Sequence, residues 1–107
     1  MRILFDQGTP APLRDALAGH VVSTAYEMGW SLLENGDLLN AAESSGFDSF
    51  ITTDKNLRYQ QSLAGRHLAI LVLPYARWPT LINHVAAIAA AVNSLQPGDF
   101  VELSLPQ

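Results

Sequence analysis

Two short apolar runs in this chain end on an aspartate. Ile3, Leu4 and Phe5 lead into Asp6, Gln7 and Gly8, and Phe50, Ile51, Thr52 and Thr53 lead into Asp54, Lys55 and Asn56. Each run reads as a buried parallel strand with an acid at its carboxyl end. Ligands of open α/β sheets bind in the crevice outside those ends. A third acid, Asp37, opens the helix expected between the two strands. Three carboxylates converging on one crevice make a site for a hard divalent cation, because Mg²⁺ and Mn²⁺ favour oxygen ligands. Asp6, Asp37 and Asp54 are therefore the candidate metal ligands and catalytic residues, and the chemistry to expect is hydrolysis of a phosphodiester.

Each acid also has a structural explanation. Asp6 can start a turn, Asp54 can cap a helix, and Asp37 follows Asn35 and Gly36 as ordinary helix N-termini do. Thr9 is available to cap a helix beginning at Pro10, which relieves Asp6 of that task. Thr52 and Thr53 add hydroxyls suited to orienting a carboxylate or binding phosphate. Thr53 and Asn56 are placed to position a water or a phosphate oxygen, and Lys55 and Arg58 to anchor a phosphate backbone, with Arg14 also near the crevice. Tyr59, Gln60 and Gln61 offer stacking and hydrogen bonds to bases. His20, His67 and His84 lie in three separate elements without ligand spacing. Trp30 and Trp78 read as core or helix-entry anchors. The chain has no glycine-rich phosphate loop and no serine in the setting of a nucleophile elbow.

The elements that must position these groups alternate. Residues 3–5 form a strand that is apolar at consecutive positions, as a strand covered on both faces requires. Leu13, Ala16 and Leu17 give the next segment a helical stripe, which Gly19 stops. A short strand over 20–24 follows, and then an ambiguous aromatic stretch around Gly29 and Trp30. A helix after Asn35-Gly36-Asp37 ends at Gly46, and a strand occupies 50–53. A short helix is predicted over 56–63. The strongest strand of the chain covers 68–73 and stops at Pro74. A long helix runs from Trp78 to Pro97-Gly98, and a half-exposed edge strand covers 100–105. Regular β-α alternation predicts a mostly parallel sheet of about five strands with helices on both faces, joined by right-handed crossovers.

Composition bounds the rest. A chain of 107 residues, 49% hydrophobic and 15% charged, is one folded domain spanning 1–107. A net charge of −4 gives no global attraction to nucleic acid, so any such contact needs a metal or a local basic patch. The absence of cysteine excludes disulfides and thiolate zinc sites and fits a reducing compartment such as the cytoplasm. Asp6, Pro10 and Pro12 interrupt any signal-peptide core, and the weakly charged stretch from Trp78 to Phe100 is too broken by polar residues, Pro and Gly to span a membrane.

Taken together, these residues resemble a family of short bacterial PIN-like proteins, a domain of unknown function proposed to supply the toxin of toxin–antitoxin pairs. The resemblance is carried by Ile3-Leu4-Phe5-Asp6-Gln7 with Pro10 and Leu13, by Gly19-His20-Val21-Val22 and Gly29-Trp30, by Asn35-Gly36-Asp37-Leu38-Leu39, and by Thr52-Thr53-Asp54-Lys55-Asn56-Leu57. The last third of the chain, from Trp78 on, adds little. The resemblance implies an α/β/α sandwich of three layers and Mg²⁺- or Mn²⁺-dependent cleavage of RNA, with Asp6, Asp37 and Asp54 as the acidic cluster and an antitoxin protein as partner. Single-stranded RNA is the expected substrate class, because its unstacked bases and flexible backbone can follow a shallow crevice. Many relatives carry a further aspartate at the position of Asn56 and a glutamate at that of Gln7. Both changes remove charge, which weakens metal binding. The competing expectation is a non-catalytic binding or interaction module on the same fold, whose apolar C-terminal third can support a homodimer or dock a partner.

Overall fold

The computed structural model describes residues 1–57, 63 and 65–106. Five strands form a single sheet in which every neighbouring pair is parallel: β1 (Arg2–Phe5), β2 (Val21–Thr24), β3 (Ser49–Thr52), β4 (Ala69–Val72) and β5 (Phe100–Glu102). The strand order is β2-β1-β3-β4-β5. Phe5 lies opposite Thr24 on one side and Ile51 on the other, and Ile51 lies opposite Leu71. The expected α/β class and parallel sheet are thus present. β5 is shorter than the predicted run and sits at a sheet edge, where the Leu103 N–H bonds the Val72 carbonyl at 2.9 Å.

Apolar side chains fill both sides of the strands because consecutive strand residues point to opposite faces. Ile3, Phe5, Ile51, Ala69 and Leu71 join one core cluster with Leu13, Leu81, Ile88 and Val92. Leu4, Phe50, Ile70 and Val72 join a second with Leu38, Leu39, Ala42 and Leu57. The first cluster is capped by a 3₁₀ helix, Ala11–Ala16, and by a C-terminal helical run. That run is α2 (Trp78–Leu81), a 3₁₀ turn (Ile82–His84) and α3 (Val85–Asn93). It is one predicted helix in three pieces, broken where His84 leaves helical dihedrals at φ −124° and ψ 15°. The second cluster is covered by α1 (Asn35–Ser44). Residues 58–62 of the helix predicted over 56–63 lie outside the described residues, and with them Arg58, Tyr59, Gln60 and Gln61.

The connections explain where a site can form. From β1 the chain steps to one edge of the sheet through β2, then returns past β1 to β3 and moves toward the other edge. The two connections that leave β1 and β3 therefore run in opposite directions, which opens a crevice at the carboxyl ends of these adjacent strands. The β1-to-β2 and β4-to-β5 connections pack on the same face yet run toward opposite edges, so they have opposite hands. The expectation of uniformly right-handed crossovers does not hold here. The C-terminal run packs beside the 3₁₀ helix, in the cluster that holds Leu13 and Leu17, instead of joining α1 on the other face.

Candidate functional site

Asp6 immediately follows β1 and Asp54 lies two residues past β3, so both stand at the β1/β3 crevice. Asp6 is half-buried and its carboxylate is held on both oxygens. The Thr9 hydroxyl lies 2.6 Å from Oδ1, and the Thr52 hydroxyl donates to Oδ2 at 2.5 Å. Burial pushes the Asp6 carboxyl above its ordinary value. The Thr52 and Thr9 hydrogen bonds pull it back down, and repulsion from the nearby Asp54 charge adds to the rise. Asp54 is thus close enough for its charge to oppose ionisation of Asp6.

Asp54 is fixed by different partners. Asn35 Nδ2 donates to its Oδ2 at 2.8 Å, and the Asn56 backbone N–H donates to its Oδ1 at 2.9 Å. The Asp54 backbone N–H in turn donates to Thr52 Oγ1 at 3.0 Å. One fully buried hydroxyl, that of Thr52, therefore joins both acidic segments: it donates to Asp6 and accepts from Asp54. Local chain chemistry explains these roles. Asp54 and Asn56 form the side-chain-to-backbone turn that aspartate favours after a strand. Thr9 does not cap the 3₁₀ helix, whose flanking residue is Pro10 and which has no side-chain cap. Its hydroxyl faces Asp6 and the Ile51 carbonyl, 3.0 Å away, instead.

Asp37 takes no part in this network. α1 begins at Asn35 with Glu34 before it, so Asp37 is an exposed residue of the first helical turn and not the residue that opens the helix. The turn delivers Asn35, not Asp37, to Asp54. Among the described residues, no three His, Cys, Asp or Glu side chains gather so as to hold a metal ion. The convergence of Asp6, Asp37 and Asp54 is therefore reduced to a pair.

The other candidates scatter around the pair. Thr53 lies against the Asp6–Gly8 loop: a Cβ added at Gly8 would stand 2.7 Å from Thr53 Oγ1 and 3.8 Å from Asp6 Oδ1. Gln7 turns away to donate to the Ser31 carbonyl at 3.0 Å. Asn56 acts on Asp54 through its backbone and is otherwise exposed. Lys55 is exposed and borders a separate crevice of about 240 Å³ beyond the ends of β4 and β5, with Val72, Pro74 and Glu102. Arg14 is held in a bidentate pair with Glu27, at 2.7 and 3.1 Å, and Glu27 also accepts the Thr24 N–H at 2.8 Å. The Arg14 hydrogen bonds, then that from the Thr24 N–H, hold the Glu27 carboxyl below its ordinary value.

Asp6 forms part of the wall of a crevice of about 540 Å³ that extends away from Asp54, past Gln7 and Thr24 to Tyr26, Ala76 and Trp78. Asn35, Tyr26 and the lining role of Trp78 were not assigned from sequence. Asn35 is readable from sequence only as a turn or helix-cap residue, because nothing in the chain pairs it with a residue 19 positions later. Trp30, in contrast, packs edge-on against Phe47 at 6.0 Å, as a core anchor should. Comparison with family models, with curated proteins and with solved structures yields no match for this chain.

The contact at Gly8 makes a test of how tightly the loop is built. Gly8→Ala restricts the unfolded chain, which stabilises by about 0.4–1 kcal/mol. Crowding a packed site costs about 1–3 kcal/mol. The cost dominates, so thermal unfolding should occur at lower temperature than in the parent protein. An unchanged or raised Tm would mean that Thr53 swings aside freely.

Proposed function

We propose that this protein is a PIN-like ribonuclease that depends on Mg²⁺ or Mn²⁺ and cleaves single-stranded RNA, with Asp6 and Asp54 as its metal-holding pair. The observation that carries this reading is the placement of two mutually repelling carboxylates at the β1/β3 crevice, each clamped by its own hydrogen-bond partners. Helical elements against both faces of the sheet support the three-layer arrangement the reading requires. The antitoxin partner rests on the resemblance alone, and the cytoplasmic setting on the absence of cysteine. In the described residues no helix is long and apolar enough to cross a membrane.

The donor set suits Mg²⁺, which is commonly bound by one or two carboxylates while water and substrate phosphates complete its shell. A bound divalent ion would supply activation of water and neutralisation of charge at the phosphoryl group. Thr9 and Thr52 lock the Asp6 carboxylate, and Asn35 locks that of Asp54, so neither acid spends ordering entropy when a cation arrives. Asp37 is assigned no ligand role in this arrangement.

Mn²⁺ calorimetry tests the reading. Asp6→Asn should abolish saturable binding, and Asp54→Asn should weaken it by at least about tenfold. Asp37→Asn should change affinity by less than about twofold, because an exposed charge outside the shell acts only through screened water. RNA cleavage should follow the same ranking. A non-catalytic module is the second reading, favoured by the pairwise reduction of the acidic cluster. Absence of heat at millimolar Mn²⁺ would select it.

A further inference from the structure

The crevice beside Asp6 has a lining unlike that of a phosphate site. Among the described residues, Asp6 is the only charged one in its wall, and no Lys, Arg or His borders it. With Asp6 assigned to the cation, what remains is an amide, hydroxyls and two aromatic rings. Tyr26 is 78% exposed, which is unusual for a large ring and leaves its face free for a ligand. Trp78 sits at the start of α2, part-buried against the core, so one side of its ring system is anchored while the residue still borders the crevice. Gln7 spends its Nε2 on the Ser31 carbonyl, which leaves Oε1 as an acceptor. Thr24 Oγ1 accepts the Glu27 N–H at 3.1 Å, which leaves its own proton to donate. A flat, uncharged ring with donors and acceptors on its edge matches such a wall, and about 540 Å³ lies in the ordinary range for a small-molecule site.

We infer that this crevice is a nucleobase subsite, in which an unpaired base of the substrate strand stacks on Tyr26 and Trp78 while the adjoining phosphodiester reaches Asp6 and Asp54. The inference rests on the nuclease reading for its substrate class. It also gives the strand a direction: the base lies on the β1/β2 side of the acids, and Lys55 lies on the opposite, β4/β5 side. Aromatic stacking is tolerant of sequence, because every base has a π-face. Recognition at this subsite therefore selects unpaired over paired strands more than one base over another.

The test uses fluorescence of Trp78 in a Trp30→Phe background, where it is the single tryptophan of the chain. The probes are a short oligoadenylate, an abasic ribose-phosphate oligomer of the same length, and arginine amide, all without metal. We expect saturable quenching by the oligoadenylate only, weakened roughly 5- to 100-fold by Tyr26→Ala. Tyr26 is exposed, so that variant keeps the fold. No quenching at millimolar oligoadenylate, or equal quenching by the abasic oligomer, would overturn the subsite. Quenching by arginine amide alone would also overturn it and mark a cation pocket. Because metal is omitted, the result is independent of Mn²⁺ binding: base binding without Mn²⁺ affinity would keep the subsite and remove the nuclease, and the reverse would do the opposite.

Discussion

Asp6→Asn should remove metal-dependent cleavage and at the same time make the protein more stable at neutral pH. The reason lies in one proton. The Thr9 hydroxyl faces two acceptors, Asp6 Oδ1 at 2.6 Å and the Ile51 carbonyl at 3.0 Å, but has a single hydrogen to donate. With ionised Asp6 one of these contacts is short-changed. An amide at this position resolves the conflict. Its nitrogen can donate to Thr9 Oγ1, Thr9 can then donate to Ile51, and Thr52 still donates to the amide oxygen. The substitution also removes a half-buried charge and its repulsion from Asp54. A gain of about 1 kcal/mol is in the usual range for relieving strain at a functional site, and in a domain of this size that raises Tm by about 4–8 °C. A variant that is inactive and also less stable would show that Thr9 and Thr52 depend on the carboxylate for more than this network implies.

The same substitution has a pH signature. Burial raises the folded-state value of Asp6 above its ordinary 3.8. A carboxyl with a raised folded value contributes stability that is full below the unfolded value and is lost as pH rises through the folded one. Below 3.8 the parent acid is protonated in both states and the variant has no advantage from this source. As pH rises through the folded value, the parent loses stability that the variant does not, and the gap in Tm opens and then levels. Thermal melts of both proteins from acid to neutral pH should trace this curve. A gap that is constant across the range would mean that Asp6 titrates normally.

Much of this could be read from the chain, and the misses have specific causes. Consecutive apolar residues at 3–5, 50–51 and 69–72 required strands covered on both faces, and the two core clusters divide them by alternate residues. The acids after β1 and β3 were placed by strand order alone, since β1 and β3 are neighbours. What could not be read is the aim of short polar side chains. Thr9 before Pro10 has the pattern of a helix cap, but the 3₁₀ helix leaves the cap unused and tertiary partners 3 and 42 residues away claim the hydroxyl. Asn35 and Asp37 are both residues of a helix start, and which of them reaches Asp54 depends on where α1 begins, which hydrophobic spacing sets only to within a residue or two. Trp78 looked like an anchor and is one, but its crevice exists only because the C-terminal helical run packs on the same face as the 3₁₀ helix.

Thr52→Val should be the most damaging single change near the site, although it keeps size and β-branching. Thr52 is fully buried at the end of β3, paired with Val72 in the sheet, so its backbone role survives the substitution. The hydroxyl does not. Asp6 Oδ2 loses its donor and the Asp54 N–H loses its acceptor together. A hydrogen bond to a charged group contributes about 1.5–3 kcal/mol, and a buried group left without a partner costs about 1–3 kcal/mol. Asp54 is only part-buried, so water recovers some of the second loss. The expected total is about 2–4 kcal/mol, a large share of the 5–15 kcal/mol typical of a domain. Loss of the Thr52 bond also removes the strongest influence holding the Asp6 carboxyl down, so its proton should compete with Mn²⁺ up to a higher pH than in the parent. Thr52→Ser keeps the hydroxyl and should restore most of both. The decisive comparison is the double substitution. If the penalty arises from a stranded carboxylate, Thr52→Val should cost about 1 kcal/mol less in the Asp6→Asn background, where the bond lost is to a neutral amide. Equal costs in the two backgrounds would instead assign the damage to the Asp54 turn, and the coupling between the two acidic segments would have to run through something other than this hydroxyl.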